Sequence, residues 1–292
     1  MEEITKAILP VAGLGTRYLP VSKVIPKELL PLVDKPLVQY AVEEAKAAGI
    51  TEIIFVVNSN RKFIEDYFKR SLKLEKTLEE RKQEHLLKLL KRIEELGEGM
   101  TFSFVSDKPL GDGHAILQAK KLVGDESCLV MFPDDIIDAE IPCATQLLSV
   151  FKTAQKSVLA LCKLPQESLS SYGVVAGELI ARRFYKITKI VEKPAQGTAP
   201  SQLVSLGRRI ITPDVFSSLK KARPNAKGEV NLAEVLSKMV QDGTMMYGYE
   251  IEGKWLECGD KIGWLRSNLY LSLKHPEFGK AMATFLREEK LL

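Results

Sequence analysis

A chain of 292 residues and 32.6 kDa suits one large α/β domain or two small ones. Its 45% hydrophobic and 27% charged residues are close to the soluble globular average, which excludes a disordered chain, a collagen-like chain and a disulfide-stapled miniprotein. Forty-two basic against 38 acidic side chains leave a net +4, too mild to imply nucleic acid and compatible with polyphosphate ligands gathered in one cleft.

The four cysteines (Cys128, Cys143, Cys162, Cys258) show no C-x-x-C spacing, and the three histidines (His85, His114, His275) lie far apart. Neither a zinc ribbon nor a redox pair is therefore expected. The start MEEITKAILP lacks a basic stretch followed by an apolar one, so no signal peptide is predicted. No apolar run approaches the ~18 residues of a membrane span. A cytoplasmic protein with neither a membrane nor a nucleic-acid partner is the expectation.

In chain order, Lys6–Ala12 reads as a buried strand entering the glycine loop Gly13-Leu14-Gly15. Leu37–Ala48 carries helical spacing and stops at Gly49, and Glu52–Val57 (EIIFVV) reads as a second buried strand. Strand, helix and strand predict a right-handed parallel crossover. Residues 61–97 are dense in Lys and Glu, with Leu86, Leu89, Leu90 and Ile93 at helical spacing. They read as a solvated helical insertion with one apolar stripe, or alternatively as a subunit contact or a lid. Strands are predicted at Thr101–Val105, Ser127–Phe132, Ser157–Leu161, Gly173–Val175, Tyr185–Val191 and Met245–Ile251. Helices are predicted at Asp214–Ala222, Leu232–Gln241 and Lys261–Leu273. With no low-complexity linker and no repeat, residues 1–292 read as one α/β domain on a mixed sheet.

The densest chemical information is Ala12-Gly13-Leu14-Gly15-Thr16-Arg17, followed by Pro26-Lys27-Glu28. Glycines after a strand let backbone N–H groups approach a phosphate. The spacing is neither the dinucleotide fingerprint nor a P-loop, and prolines at 20, 26, 31 and 36 forbid a helix opening directly from the loop. The loop instead carries Arg17, Lys23 and Lys27, the cations a triphosphate needs around it. Asp134 and Asp135 follow an apolar strand, where an Asp is a natural Mg²⁺ ligand beside phosphate oxygens. Glu192-Lys193-Pro194 ends another strand. Neighbouring strand residues face opposite sides, so Glu192 and Lys193 reach one ligand only if the strand has ended.

Residues 12–40 (AGLGTRYLPVSKVIPKELLPLVDKPLVQY) closely resemble the signature of the bacterial UTP–glucose-1-phosphate uridylyltransferases, a branch of the sugar-phosphate nucleotidyltransferases. The resemblance continues through PLGDGHA (109–115), FPDDII (132–137), YGVV (172–175), VEKP (191–194), GTAPSQL (197–203) and CGDKIGW (258–264), and so spans most of the chain. It implies a Rossmann-like mixed, mostly parallel sheet sandwiched by helices. Residues 1–140 would form the nucleotide part, 155–260 a smaller sugar-phosphate part with β-structure, and 261–292 the C-terminal helices.

The implied reaction is Mg²⁺-dependent uridylyl transfer from UTP to glucose 1-phosphate by a homo-oligomer, dimer or tetramer. Arg17, Lys27 and Lys193 would be its catalytic cations. The nucleotide would lie on Ala12, Gly13, Leu14, Gly15, Thr16, Gly113 and His114, with His114 also readable as a local structural residue. The sugar phosphate would meet Tyr172, Gly173, Glu192, Lys193 and Gly207, and Tyr172 is readable as packing too. Asp134 would be the metal ligand, with Asp135 behind it. Glu257 stands where related enzymes have an Asp as the second metal ligand, and Asp260 is taken as mainly structural.

The chain also departs from the family. Residues 104–109 (FVSDKP) lack the Arg-Gln whose Gln pairs with uracil, leaving Ser106 or Asp107 as partial substitutes. Arg209 replaces an aromatic, and Asn231-Leu232-Ala233-Glu234 replaces Q-L-T-D. Another nucleotide or sugar, or a non-catalytic nucleotide-sugar-binding subunit, are the alternatives.

Overall fold

The computed structural model describes residues 3–58 and 61–291. Strand β1 (Lys6–Val11) buries Ala7, Ile8, Leu9 and Val11 completely, as an apolar run inside a parallel sheet must. Short 3₁₀ turns at Thr16–Tyr18, Val21–Lys23 and Lys27–Leu29 follow in place of a helix, because the intervening prolines remove donors and fix φ. A small hairpin, β2 (Pro31–Leu32) and β3 (Lys35–Pro36), leads into α1 (Leu37–Ala47), β4 (Glu52–Val57), α2 (Arg61–Phe68), α3 (Leu72–Glu80), α4 (Glu84–Gly97) and β5 (Thr101–Ser106). Then come α5 (Asp112–Gln118), α6 (Lys120–Val123), β6 (Cys128–Met131), β7 (Asp135–Asp138), α7 (Cys143–Ala154), β8 (Val158–Lys163), β9 (Gly173–Ala181), β10 (Phe184–Glu192) and β11 (Leu203–Ile211). The chain ends with α8 (Pro213–Lys221), α9 (Leu232–Gln241), β12 (Tyr247–Glu250), β13 (Lys254–Glu257), α10 (Lys261–Lys274) and α11 (Gly279–Glu288).

Nine strands form one mixed sheet in the order β5-β4-β1-β6-β11-β8-β12-β10-β9. The first four are mutually parallel. β11 lies antiparallel between β6 and β8, and β12 runs parallel to β8. β9 then turns back onto β11 through Leu203↔Val175 and Val204↔Val174, so this half curls like a small barrel. Alternation along β1 sends Ile8 to a core with Ile116 of α5, Phe216 of α8 and Leu236 of α9. Leu9 faces the opposite core, with Val42 of α1 and Leu147 and Phe151 of α7. The sheet is thus covered by helices on both faces. The segment 61–97 is three helices rather than one stripe: Leu86, Leu90 and Ile93 are partly covered, while Leu89 points out at 49% exposure.

Strand β11 was not among the expected elements, because Ser205, Gly207, Arg208 and Arg209 interrupt its apolar run. Arg208 is nevertheless wholly buried. Its Nε and Nη2 donate to Glu44 Oε2 at 3.0 and 2.8 Å, and its Nη1 donates to the Phe132 carbonyl at 2.6 Å. Glu44 Oε1 accepts from the Ala144 N–H at 3.0 Å, so one carboxylate ties α1, α7 and β11 together. A buried ion pair that loses one member leaves an uncompensated charge. Glu44→Ala should therefore cost about 3–5 kcal/mol in urea unfolding. A loss below about 1 kcal/mol, the scale of an exposed pair, would refute this role.

Candidate active site

The carboxyl ends of β1, β5 and β6 open into a cleft of about 590 Å³, where doubly wound sheets bind ligands. Its walls include Ala12, Gly13, Leu14, Thr16, Arg17 and Lys27 from the first loop and Asp134 and Asp135 after β6. Tyr172, Gly173, Glu192, Lys193 and Gly207 come from the curled half, and Glu257 from β13. Of the site residues expected from sequence, Gly15, Gly113 and His114 do not line it.

Gly15 serves the loop's shape. It sits at φ +62°, where a side chain is strained, and its carbonyl accepts from Ser22 Oγ at 2.7 Å. The Gly113 N–H is already spent on the Val230 carbonyl at 2.9 Å, and a Cβ there would meet Leu219 at 2.9 Å. The turn residue is Gly111, at φ +105° with Val230 O only 2.4 Å from a would-be Cβ. His114 Nδ1 lies 2.8 Å from Asp107 Oδ1, close but poorly aligned, and the Asp107 side chain is only 2% exposed. Asp107 borders the cleft, and its Oδ2 is buried without a partner among the described residues.

Opposite charges meet at the middle of the cleft. Lys27 Nζ donates to Asp134 Oδ2 at 2.6 Å. Burial works against the Lys27 ammonium, yet Asp134 outweighs it and holds its pKa above the ordinary lysine value. Burial likewise works against the Asp134 carboxylate, and Lys27 and Arg17 bring its pKa below the ordinary range. The Asp135 carboxyl is pushed up to about 6, first by burial and then by Asp134. It accepts from the Trp255 indole N–H at 2.6 Å, and its Oδ2 fills the space a Cβ on Gly207 would need, 2.2 Å away. Gly207 thus makes room for Asp135.

The two-stranded ladder β7–β13 sets Glu257 opposite Asp135, and the Cys258 N–H donates to the Asp134 carbonyl at 2.7 Å. A Cβ on Gly259 would stand 3.6 Å from Asp134 Oδ2, 3.7 Å from Glu257 Oε1 and 3.2 Å from Arg17 Nη1. The glycine leaves a hollow there, and two carboxylate oxygens face it. That donor set fits a divalent ion completing its shell with phosphate oxygens. Among the described residues no cluster of three or more acidic, histidine or cysteine side chains gathers to hold an ion. Glu257 Oε2 accepts from the Tyr172 hydroxyl, and burial raises the Glu257 pKa. Asp260 caps α10, its Oδ1 accepting from the Gly263 N–H at 2.8 Å.

Lys193 answers the difficulty that strand neighbours diverge. It adopts φ +46°, a left-handed conformation uncommon outside glycine, directly after β10, and its N–H donates to the Tyr172 carbonyl at 3.0 Å. Strand alternation ends there, and both Glu192 and Lys193 border the cleft. A Cβ on Gly173 would meet Glu192 Oε2 at 2.9 Å, so that glycine gives the carboxylate its place. Arg209 also borders the cleft, its guanidinium 5.8 Å from the Phe132 ring centroid and its Nη1 buried without a partner among the described residues.

Cations facing carboxylates above the carboxyl ends of a doubly wound sheet define a phosphoryl-handling α/β protein. The chain belongs to the nucleotidyl transferase family, whose model matches residues 6–271. It is similar to the UTP–glucose-1-phosphate uridylyltransferase of Bacillus subtilis (strain 168), at 37% identity over 98% of this chain and 97% of that one. Among solved structures it resembles a UDP-glucose pyrophosphorylase complexed with UDP-glucose, at 36% identity and TM-score 0.84 over 93% of this chain and 100% of that one. A UTP-bound UGPase from Acinetobacter baumannii matches at 35% identity and TM-score 0.88, over 98% of this chain and 99% of that one.

Glu28 gave no signal in the sequence beyond its place in the loop motif. It is 2% exposed, both carboxyl oxygens lack partners among the described residues, and burial pushes its pKa up to about 7. An acid whose folded pKa is raised binds protons in the folded state that the unfolded chain has released, so stability falls as pH rises between about 4.5 and 7. Glu28→Gln should therefore gain on the wild type as pH goes from about 5 to about 8 in denaturant unfolding. An equal difference at both pH values would remove this account.

Proposed function

We propose that the protein transfers a uridylyl group from UTP to α-D-glucose 1-phosphate, releasing pyrophosphate and forming UDP-glucose. The observation that carries this reading is the hollow in front of Gly259, where Arg17, Asp134 and Glu257 converge beside Lys27, in a cleft that Glu192 and Lys193 also border. The names of the relatives supply the substrates.

A phosphate oxygen of the sugar phosphate attacks the α-phosphorus of UTP in line. The new P–O bond forms as the bond to the bridging oxygen breaks, and pyrophosphate leaves with that electron pair. Such a step needs positioning and charge neutralisation rather than a nucleophilic side chain. Arg17 would hold the β- and γ-phosphates, Lys27 the phosphates at the reacting centre and Lys193 the incoming phosphate. Glu192 would accept hydrogen bonds from sugar hydroxyls, with Tyr172 beside it. Asp134 and Glu257 would hold a divalent ion, Mg²⁺ by the hardness of its oxygen donors, and it would supply neutralisation of the triphosphate. Base contacts would fall to the backbone of Ala12 and Gly13 and to Asp107, whose Oδ2 has no partner among the described residues, while the Gly113 N–H is engaged with Val230. Residues 1–140 would therefore serve the nucleotide and 155–260 the sugar phosphate. The four cysteines stand as thiols, which suits the cytoplasm, and among the described residues no helix is long and apolar enough to cross a membrane.

Pyrophosphate release should be fastest with UTP and glucose 1-phosphate, and dTTP should be accepted within about a thousandfold, because thymine presents the same hydrogen-bonding edge as uracil. No release with UTP and glucose 1-phosphate would dismiss the reading. Asp134→Asn should lower kcat by about 10² or more, and full activity at saturating Mg²⁺ would reject its role.

We further infer a homo-oligomer, dimer or tetramer. Ile262, Leu265 and Leu269 repeat along one exposed face of α10, with Phe285 of α11 exposed as well. Light scattering should give a multiple of the chain mass that Leu265→Lys lowers; a single-chain mass for the wild type would dismiss it.

A further inference from the structure

Taking the nucleotidyl-transfer reading above as given, we propose that Lys27 guards the metal carboxylate: in the nucleotide-free enzyme its ammonium occupies Asp134, and a divalent ion gains that carboxylate only together with a triphosphate that draws the ammonium away. One oxygen decides this. Lys27 Nζ sits 2.6 Å from Asp134 Oδ2, and the same Oδ2 faces the hollow in front of Gly259. The ammonium thus blocks the donor that an ion seated in that hollow would use.

The second carboxylate cannot compensate. Glu257 turns Oε1 to the hollow, but its Oε2 is engaged by the Tyr172 hydroxyl. With Asp134 Oδ2 taken by the ammonium, Glu257 Oε1 is the open one of the two carboxylate oxygens that face the hollow. Mg²⁺ sheds its waters reluctantly and is held by one or two carboxylates plus substrate phosphates, so one oxygen offers little.

Charge balance makes the exchange conditional on nucleotide. The Lys27 and Asp134 side chains are 20% and 14% exposed. Expelling the ammonium from Asp134 with nothing else present leaves a largely buried cation without its counter-ion, a costly state. A triphosphate brings several negative charges to the place where Arg17 and Lys27 converge. The ammonium then changes partners without becoming unpaired, and Asp134 is released to the incoming ion. Metal and nucleotide should accordingly bind with strong, reciprocal positive coupling.

The test uses full-length protein and no sugar substrate. MnCl₂ and MgCl₂ are titrated calorimetrically into nucleotide-free wild type, Lys27→Gln and Lys27→Met. Both variants should bind metal at least about tenfold more tightly than the wild type, and Asp134→Asn in the Lys27→Gln background should abolish the gain. Wild-type affinity equal to that of either folded variant would overturn the proposal. A second readout needs no variant: the Nζ resonance of Lys27 should stay in place with Mg²⁺ alone and move with Mg²⁺ plus UTP. A shift with Mg²⁺ alone would overturn it equally. Because no turnover is measured, failure of the pyrophosphate assay would strike the substrate assignment and leave this result standing.

Discussion

The guanidinium of Arg208 holds together the two halves that make the cleft. It lies on β11, where the parallel half of the sheet meets the curled half, and joins Glu44 on α1 to the Phe132 carbonyl. Phe132 in turn donates its N–H to the Gly207 carbonyl at 2.9 Å. The turn carrying Asp134 and Asp135 is therefore pinned at its root by a charge that cannot be deprotonated. A neutral core residue would fill the same space, but it could not hold that carbonyl and Glu44 together.

The rest of the cleft follows from how tightly unlike charges are packed above this anchor. Asp135 is pressed against Gly207 and bonded to Trp255, which leaves Asp134 facing Lys27 and Arg17. Two adjacent carboxylates in one site push their pKa values apart. Here the outer acid is held ionised by cations, while the inner one is raised and shielded. Adjacent aspartates thus divide between presenting a charge and supporting the turn that presents it.

How much of this could be read in the sequence depended on how loudly each residue type speaks. β1 and β4 are unbroken apolar runs, and α9 has Asn231 as its cap, accepting from the Ala233 N–H at 2.8 Å, so all three were legible. β11 was silent because a strand carrying Gly207, Arg208 and Arg209 looks like surface until Glu44 is seen opposite. Within the cleft, glycines next to cations announced the first loop. The left-handed backbone at Lys193 had no such announcement, since lysine carries no preference for it. Gly113 and His114 were expected to meet the nucleotide from their resemblance to the family's base-binding loop; Val230, brought in by tertiary packing, takes up the Gly113 N–H. A one-dimensional pattern does not show which partner arrives first.

The place of β11 in the sheet also has a consequence for how the chain assembles during synthesis. β6 (residues 128–131) has β1 on one side and waits for residues 203–211 on the other, while β12 (247–250) inserts between β8 and β10 later still. The centre of the sheet is therefore completed after its first edge. Until then β6 presents an unpaired, wholly apolar strand edge, the kind of surface that invites pairing with other chains. The chain must be made through residue 211 before β11 can cover β6, so the nascent polypeptide carries that edge uncovered while residues 132–211 are synthesised.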